Sequence, residues 1–205
     1  MKYRIRIMIA VALLIVMIPV AAYAQTTKYT VVKGDSLWKI AVKFQVGLSE
    51  IISANPQFKN PNLIYPGDIV YVPQQTKYTS EVNEVIRLVN VERQKNGLKP
   101  LTSNWELSRV AQYKSQDMAN KGYFSHQSPT YGSPFDMMRN FGIRYSSAGE
   151  NIAYGYSTPA QVMNGWMNSP GHRANILNAS FTQIGVGIAT NSKGTKYWTQ
   201  MFIRP

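Results

Sequence analysis

The sequence predicts an α+β chain of two unequal units: a small strand, helix, helix, strand unit, then a larger one in which helices cover both faces of a small antiparallel sheet. Three observations predict it. Residues 28–73 set a β-prone run at each end of two short helical patterns. From residue 80 onward, four helical starts are interleaved with three β-like runs. Between them the polar stretch Gln74-Gln75-Thr76-Lys77 follows Pro73, and we expect a linker over residues 74–79. Without glycine or a proline run it gives limited reach.

Ahead of the first unit, Lys2, Arg4 and Arg6 precede an apolar run from Ile7 to Val20, and Ala22-Tyr23-Ala24 stands before Gln25. That order predicts a secretory signal peptide over residues 1–24, because the run is shorter than the ~20 residues a membrane-spanning helix needs. The full chain carries 22 Lys and Arg against 10 Asp and Glu; without Lys2, Arg4 and Arg6 the balance is 19 against 10, or +9. No two Lys or Arg are consecutive, so the charge is dispersed rather than drawn into a nucleic-acid stripe or a polybasic membrane tail. A polyanionic wall is the natural partner for such a surface, held by weak, salt-sensitive attraction that cannot choose a ligand. Zero cysteines in an exported chain exclude a disulfide framework, a lipid-modified cysteine, a thiol nucleophile and Cys-ligated zinc. The ending Met201-Phe202-Ile203-Arg204-Pro205 has no wall-sorting character, and retention is expected to be noncovalent.

In the first unit, Tyr29-Thr30-Val31-Val32 reads as a strand and Lys33-Gly34-Asp35 as a turn. Ser36 is placed to cap a helix carrying Leu37, Trp38, Ile40, Ala41 and Phe44. Gly47 is expected to end that helix, and Trp38, grouped with Ala41 and Val42, to lie in the core. A second helix runs from Leu48 through Ile51, Ile52 and Ala54 to a stop at Asn55-Pro56. Pro66-Gly67-Asp68 then turns into the strand Ile69-Val70-Tyr71-Val72.

These residues resemble the LysM family: Tyr29-Thr30-Val31, Gly34-Asp35-Ser36-Leu37-Trp38-Lys39-Ile40-Ala41, Asn55-Pro56, Asn62-Leu63-Ile64-Tyr65-Pro66-Gly67-Asp68 and Pro73. The resemblance covers the whole unit and implies a βααβ module that binds N-acetylglucosamine-containing glycans such as peptidoglycan in a shallow groove. Carried onto this chain, the groove lies between Gly34, Asp35, Ser36 and Leu37 on one side and Asn62, Leu63, Ile64 and Tyr65 on the other. An acetamido sugar offers amide and hydroxyl groups to backbone and an apolar face to aliphatic side chains, although Gly34, Asp35, Pro66 and Gly67 equally suit plain turns.

In the second unit, Val82, Val85, Ile86 and Val89 follow Ser80 at helical spacing, and Gly97 ends the pattern. Ser103-Asn104-Trp105-Glu106 reads as a capping box opening a helix with Leu107, Val110, Ala111 and Met118 on one face, ending near Gly122. Ser133-Pro134 and Thr158-Pro159 open two more helices with proline at the first helical position. Strands are expected over 151–154, 184–190 and 196–202.

Phe124-Ser125-His126 with Pro129, Gly149-Glu150-Asn151-Ile152-Ala153, and Trp166 followed by Ser169-Pro170-Gly171-His172-Arg173-Ala174-Asn175-Ile176-Leu177 resemble, in that order, a CAP (SCP-like) domain of the bacterial type over residues 80–205. The resemblance implies an α-β-α sandwich with a cleft where His126, Glu150 and His172 meet. His126 and His172 are the only two histidines of the chain. Such imidazoles ligate a metal, shuttle a proton or hold a loop, and Glu150 serves as a third ligand or a general base. A divalent metal such as zinc is one reading of the trio, and a carboxylate there would raise the histidine pKa values. Many eukaryotic relatives have a second glutamate three positions after the helix tryptophan; here Ser169 stands three after Trp166. The acidic set is incomplete and the eukaryotic disulfides are missing, which weakens metal, hydrolase, sterol-binding and signalling roles. Asn151 suits a loop fastener. Gly155-Tyr156-Ser157-Thr158-Pro159 lacks the last glycine of a nucleophile elbow, and Gly185-Val186-Gly187 has no helix after it.

Two function classes follow. In the first, a secreted noncatalytic protein grips peptidoglycan and presents the CAP cleft to a glycan, peptide or protein in wall or spore-coat assembly, with no nucleic-acid partner and no membrane after signal cleavage. The alternative is a wall-remodelling hydrolase using Glu150 with His126 and His172.

Overall fold

The computed structural model describes residues 26–73 and 79–205. The expected signal peptide, and residues 74–78 of the expected linker, lie outside the described residues. The first unit pairs β1 (Thr26–Thr30) antiparallel with β2 (Ile69–Pro73), in register from Thr26 opposite Pro73 to Thr30 opposite Ile69. Between them stand α1 (Leu37–Phe44) and α2 (Leu48–Ser53). Ser36 caps α1 by accepting from the Lys39 amide (3.2 Å). The cap at its other end is Gln45 in the left-handed region (φ 54°), whereas Gly47 caps the start of α2 and does not end α1.

The core of this unit is aliphatic: Val31, Leu37, Ile40, Ala41, Val46, Ile51, Val70 and Val72. Asn55 is buried within it. Its amide nitrogen donates to the Ile51 and Tyr71 carbonyls (2.6 and 2.7 Å) and its oxygen accepts from the Tyr71 amide (2.7 Å), tying the end of α2 to β2. Trp38 corrects the sequence reading: it is 59% exposed, not core. Leu37, Ile40 and Ala41 form the buried stripe at helical spacing, and Trp38 and Val42, each one residue further round, fall on its solvent flank.

The second unit has three layers. A four-stranded sheet in the order β3-β5-β6-β4 is made of β3 (Thr102–Ser103), β4 (Ser147–Tyr154), β5 (Gln183–Thr190) and β6 (Lys196–Arg204). It is not wholly antiparallel, because β3, which the sequence reading did not contain, runs parallel to β5. Helices α3 (Thr79–Lys95), α6 (Pro159–Met167) and α7 (Pro170–Ile176) bury Val85, Val89, Val162, Trp166 and Ile176 against Ile184, Val186, Ile188, Trp198 and Phe202. On the other face, α4 (Trp105–Lys121) and α5 (Pro134–Asn140) bury Leu107, Val110, Met137 and Met138 with Met201 and Ile203. The alternating residues of β6 thus serve opposite layers.

Two glycines set how closely α4 lies on the sheet. A Cβ at Gly185 would sit 2.3 Å from the Leu107 carbonyl carbon, and one at Gly187 would sit 2.1 Å from the Gln112 amide nitrogen. No rotamer change relieves a collision with backbone. The capping box expected at Ser103 is replaced by Asn104, which accepts from the Leu107 amide (3.0 Å) while Ser103 belongs to β3. A capping box does form at Ser133 with Asp136. Arg93 is buried in this unit, donating to the carbonyls of Lys99, Ile176 and Asn178 (2.8–2.9 Å) in place of a carboxylate partner.

Candidate functional site

In the first unit, β1 and β2 are paired to Thr30 opposite Ile69, so residues 31–36 and 62–68 leave the same end of the ladder. Backbone bonds join the two loops: the Val31 amide donates to the Asp68 carbonyl and the Gly67 amide to the Val31 carbonyl (both 2.9 Å). Gly34 and Gly67 adopt φ of 92° and 97°, where a side chain would be strained. The loops that carry the expected glycan residues are therefore brought side by side. Gly34, Asn62, Leu63 and Tyr65 are exposed. Leu37 is buried in the core, leaving only its backbone to offer, and the half-buried Ile64 packs against that core. The Asp35 carboxylate accepts from the Tyr29 hydroxyl (2.8 Å) and the Val32 amide (2.9 Å), and these bonds hold its pKa below the ordinary value.

In the second unit, the loop after α4, the start of α5, strand β4 and helix α7 line a cavity of about 740 Å³. His126, Glu150 and His172 all face it, together with Phe124, Phe135 and Asn175. His126 donates from Nδ1 to Glu150 Oε1 at 2.6 Å. The His126 ring is 55% exposed while the Glu150 side chain is 1% exposed. Glu150 Oε2 is buried with no hydrogen-bond partner among the described residues. Asn151 fastens the far wall, though across the fold and not within its own loop. Its amide donates to the His172 carbonyl and to Gln200 Oε1 (both 3.1 Å), and its oxygen accepts from Asn175 (2.9 Å).

Beneath the His126 loop lies a buried polar cluster that the sequence reading missed. Lys114 Nζ donates to the carbonyls of Ser125 (2.7 Å) and His126 (2.8 Å). It is fully buried, and burial lowers its pKa against the attraction of Glu150 and Asp117. Burial pushes the Asp117 carboxyl up, but hydrogen bonds from Thr130, Tyr123 and Ser128, with Lys121 nearby, outweigh it and leave the pKa lowered. Two backbone bonds between Ser128 and Gly132 (2.8 and 3.0 Å) close the loop. One signal in the sequence points at Lys114: it stands seven residues after Leu107, on the apolar stripe of α4, where a cation needs buried partners.

The expectation that Glu150 raises the histidine pKa values fails at His172. Burial lowers its pKa from the ordinary 6.5, and the neighbouring His126 lowers it further. Among the described residues, no group of three or more His, Asp or Glu side chains is placed to hold a metal ion. With His126 Nδ1 committed to Glu150, only Nε2 of that ring is left to meet a ligand, and Glu150 stands behind the imidazole to orient it.

Comparison with known proteins follows the same division. The LysM domain profile matches residues 29–73, and the profile of the Cysteine-rich secretory protein family (CAP) matches residues 86–202. YkwD of Bacillus subtilis (strain 168) is 60% identical over 120 residues, 58% of this chain and 46% of YkwD. The spore coat assembly protein ExsA of Bacillus cereus is 40% identical over 53 residues, 26% of this chain and 8% of ExsA. The crystal structure of an extracellular protein containing a SCP domain, from Bacillus anthracis str. Ames, superposes with a TM-score of 0.59 at 35% identity, covering 68% of this chain and 47% of that one. The chain spans less than half the length of each of these relatives.

Proposed function

The chain belongs to the Cysteine-rich secretory protein (CAP) family and carries a LysM module ahead of its CAP domain, and on that premise we propose that it is a secreted cell-wall protein. Its LysM module grips N-acetylglucosamine polymer, and its CAP cleft recognises a ligand or partner during wall or spore-coat assembly. Residues 1–24 are the signal peptide, 28–73 the wall-gripping module, 74–79 the linker and 80–205 the presenting domain. The observation that carries this reading is the LysM module itself, with its two loops bonded side by side at one end of the strand pair.

In the groove, Gly34, Asp35, Ser36 and Leu37 face Asn62, Leu63, Ile64 and Tyr65. The backbone of both loops meets acetamido and hydroxyl groups, and the exposed Leu63 and Tyr65 side chains meet the apolar sugar face. One such module binds weakly and relies on repeated sites along the polymer. The extracellular SCP-domain protein of Bacillus anthracis and the spore coat assembly protein ExsA of Bacillus cereus support an extracellular setting and a spore-coat role respectively.

The test incubates the purified chain from Gln25, and its Glu150→Ala variant, with insoluble peptidoglycan, followed by analysis of pellet and supernatant. We expect both proteins in the pellet and no soluble muropeptides. Protein left in the supernatant would remove the wall-gripping role. Fragments released by the parent but not by the variant would replace recognition by hydrolysis, a reading favoured by the short His126–Glu150 bond.

A further inference from the structure

The two units meet at a polar contact that neither candidate site uses. On α4, Arg109 and Tyr113 stand one helical turn apart and so share a face. Phe141, which caps the end of α5, backs both: its ring centroid lies 5.2 Å from that of Tyr113 and 5.6 Å from Arg109 Cζ. The first turn of α2, in the LysM module, supplies the other side. The Tyr113 hydroxyl donates to Glu50 Oε1 (2.7 Å), and Arg109 Nη1 lies 3.6 Å from Glu50 Oε2.

This is not an ordinary surface ion pair. The Glu50 and Arg109 side chains keep 29% and 18% of their surface exposed, low for charged groups on helices at a protein surface. Such burial removes much of the solvent screening that leaves exposed pairs nearly worthless. Tyr113 adds a hydrogen bond to a charged acceptor, the stronger kind. Burial, helped by that bond, pushes the Tyr113 pKa up to about 12, so its hydroxyl remains a donor across the ordinary pH range.

Gly47 makes the approach possible. It is buried at the cap of α2, and a Cβ there would fall on both Glu50 Oε2 and Arg109 Nη1. The missing side chain leaves the room in which the CAP-domain guanidinium reaches the LysM carboxylate.

The contact orients the units without merging them. Each cluster of buried hydrophobic residues draws on one unit alone, so each keeps its own core when the contact opens. Pro73 ends β2 and Thr79 begins α3, so only a short stretch of chain joins the two. A tether that short holds the surfaces at a roughly millimolar effective concentration, enough to populate an interface too small to join separate proteins. Gly34, Asn62, Leu63 and Tyr65 of the expected groove stay exposed with the units together, and neither Arg109 nor Tyr113 lines the cleft.

We propose that Glu50 of the LysM module docks on Arg109 and Tyr113 of the CAP domain, so that the two units travel as one body with groove and cleft open at the same time. The docking holds whatever either site binds. A ligand in the groove then stands at a fixed distance and direction from the cleft.

The experiment measures amide nitrogen relaxation by NMR on the isotope-labelled chain from Gln25, reading a rotational correlation time for each unit. We expect one common value in the parent. In Glu50→Ala, and in Arg109→Glu, which sets two carboxylates against each other, the LysM value should fall roughly 1.5-fold or more below the CAP value, since a small released unit tumbles faster than the whole chain. Gly47→Ala should do the same by displacing the pair, at a φ of −71° that alanine adopts without strain. These variants alter different units, and dispersed amide signals from both cores show that each is folded, so a folding failure in one leaves the others to decide. A LysM unit that already tumbles faster than the CAP domain in the parent would overturn the docking. So would common tumbling that persists in the folded variants.

Discussion

The two units hold their candidate sites by opposite means. In the LysM module the polar groups around the groove are satisfied close by in sequence: Asp35 by Val32 and Tyr29, Ser36 by Lys39, and Asp68 by the Tyr65 amide (2.8 Å). In the CAP domain the bonds around the cleft span long separations: Glu150 to His126, and Asn151 to His172 and Gln200. The module's core is almost wholly aliphatic, while the domain buries Lys114, Asp117, Glu150, Asn151, Thr199 and Gln200. A groove made of locally closed turns tolerates single changes. A cleft held by a buried network transmits them.

The largest expected effect attacks the packing that places α4. Gly187→Ala drives a Cβ into the backbone at Gln112, and about 3 kcal/mol of CAP-domain stability should be lost, toward the upper end for overpacking. Urea denaturation followed by fluorescence reads this, while binding to peptidoglycan through the LysM module should persist. A loss of both would show that the units do not behave independently.

Lys114→Met tests the network itself. It strands the Ser125 and His126 carbonyls and removes the cation near Glu150, with an expected loss of about 2–3 kcal/mol. The His126 imidazole signal should broaden or move. An unchanged signal would mean that the loop is positioned without Lys114.

The counterpart in the module is milder. Gly67 has open space around its Cβ position, so Gly67→Ala meets only the left-handed backbone penalty of about 1 kcal/mol, visible as a small drop in denaturation midpoint. A loss as large as that of Gly187→Ala would break the contrast between the units.

A pH scan sharpens it further. The folded state lowers the His172 pKa, so the unfolded chain binds the proton more readily and stability rises with pH. This contribution is present above 6.5 and is lost as pH falls through the lower folded value. The pH dependence over that window should flatten in His172→Phe. The smallest effect is expected at Trp38, where exposure predicts that Trp38→Ala shifts stability by less than about 0.5 kcal/mol.

Legibility followed the same line. The turns at Gly34-Asp35 and Pro66-Gly67, the cap at Ser36 and the prolines opening α5 and α6 depend on residues within a few positions of one another, and they could be read directly. Trp38 misled because periodicity over one short helix leaves the flank of its buried stripe ambiguous. Strand β3 was missed because two residues carry no period, and their pairing with β5 joins positions some eighty residues apart.

The sequence by itself determined the two-unit order, the α+β class and the motifs that bring His126, Glu150 and His172 into consideration. Each of these is written in local pattern and residue type. Only the tertiary structure decided that Lys114 and Asp117 hold the His126 loop, that Gly185 and Gly187 admit the backbone of α4, and that Glu150 keeps one oxygen unmet. The reason is physical: burial and hydrogen-bond satisfaction are properties of neighbours brought together by folding, and no window along the chain contains them.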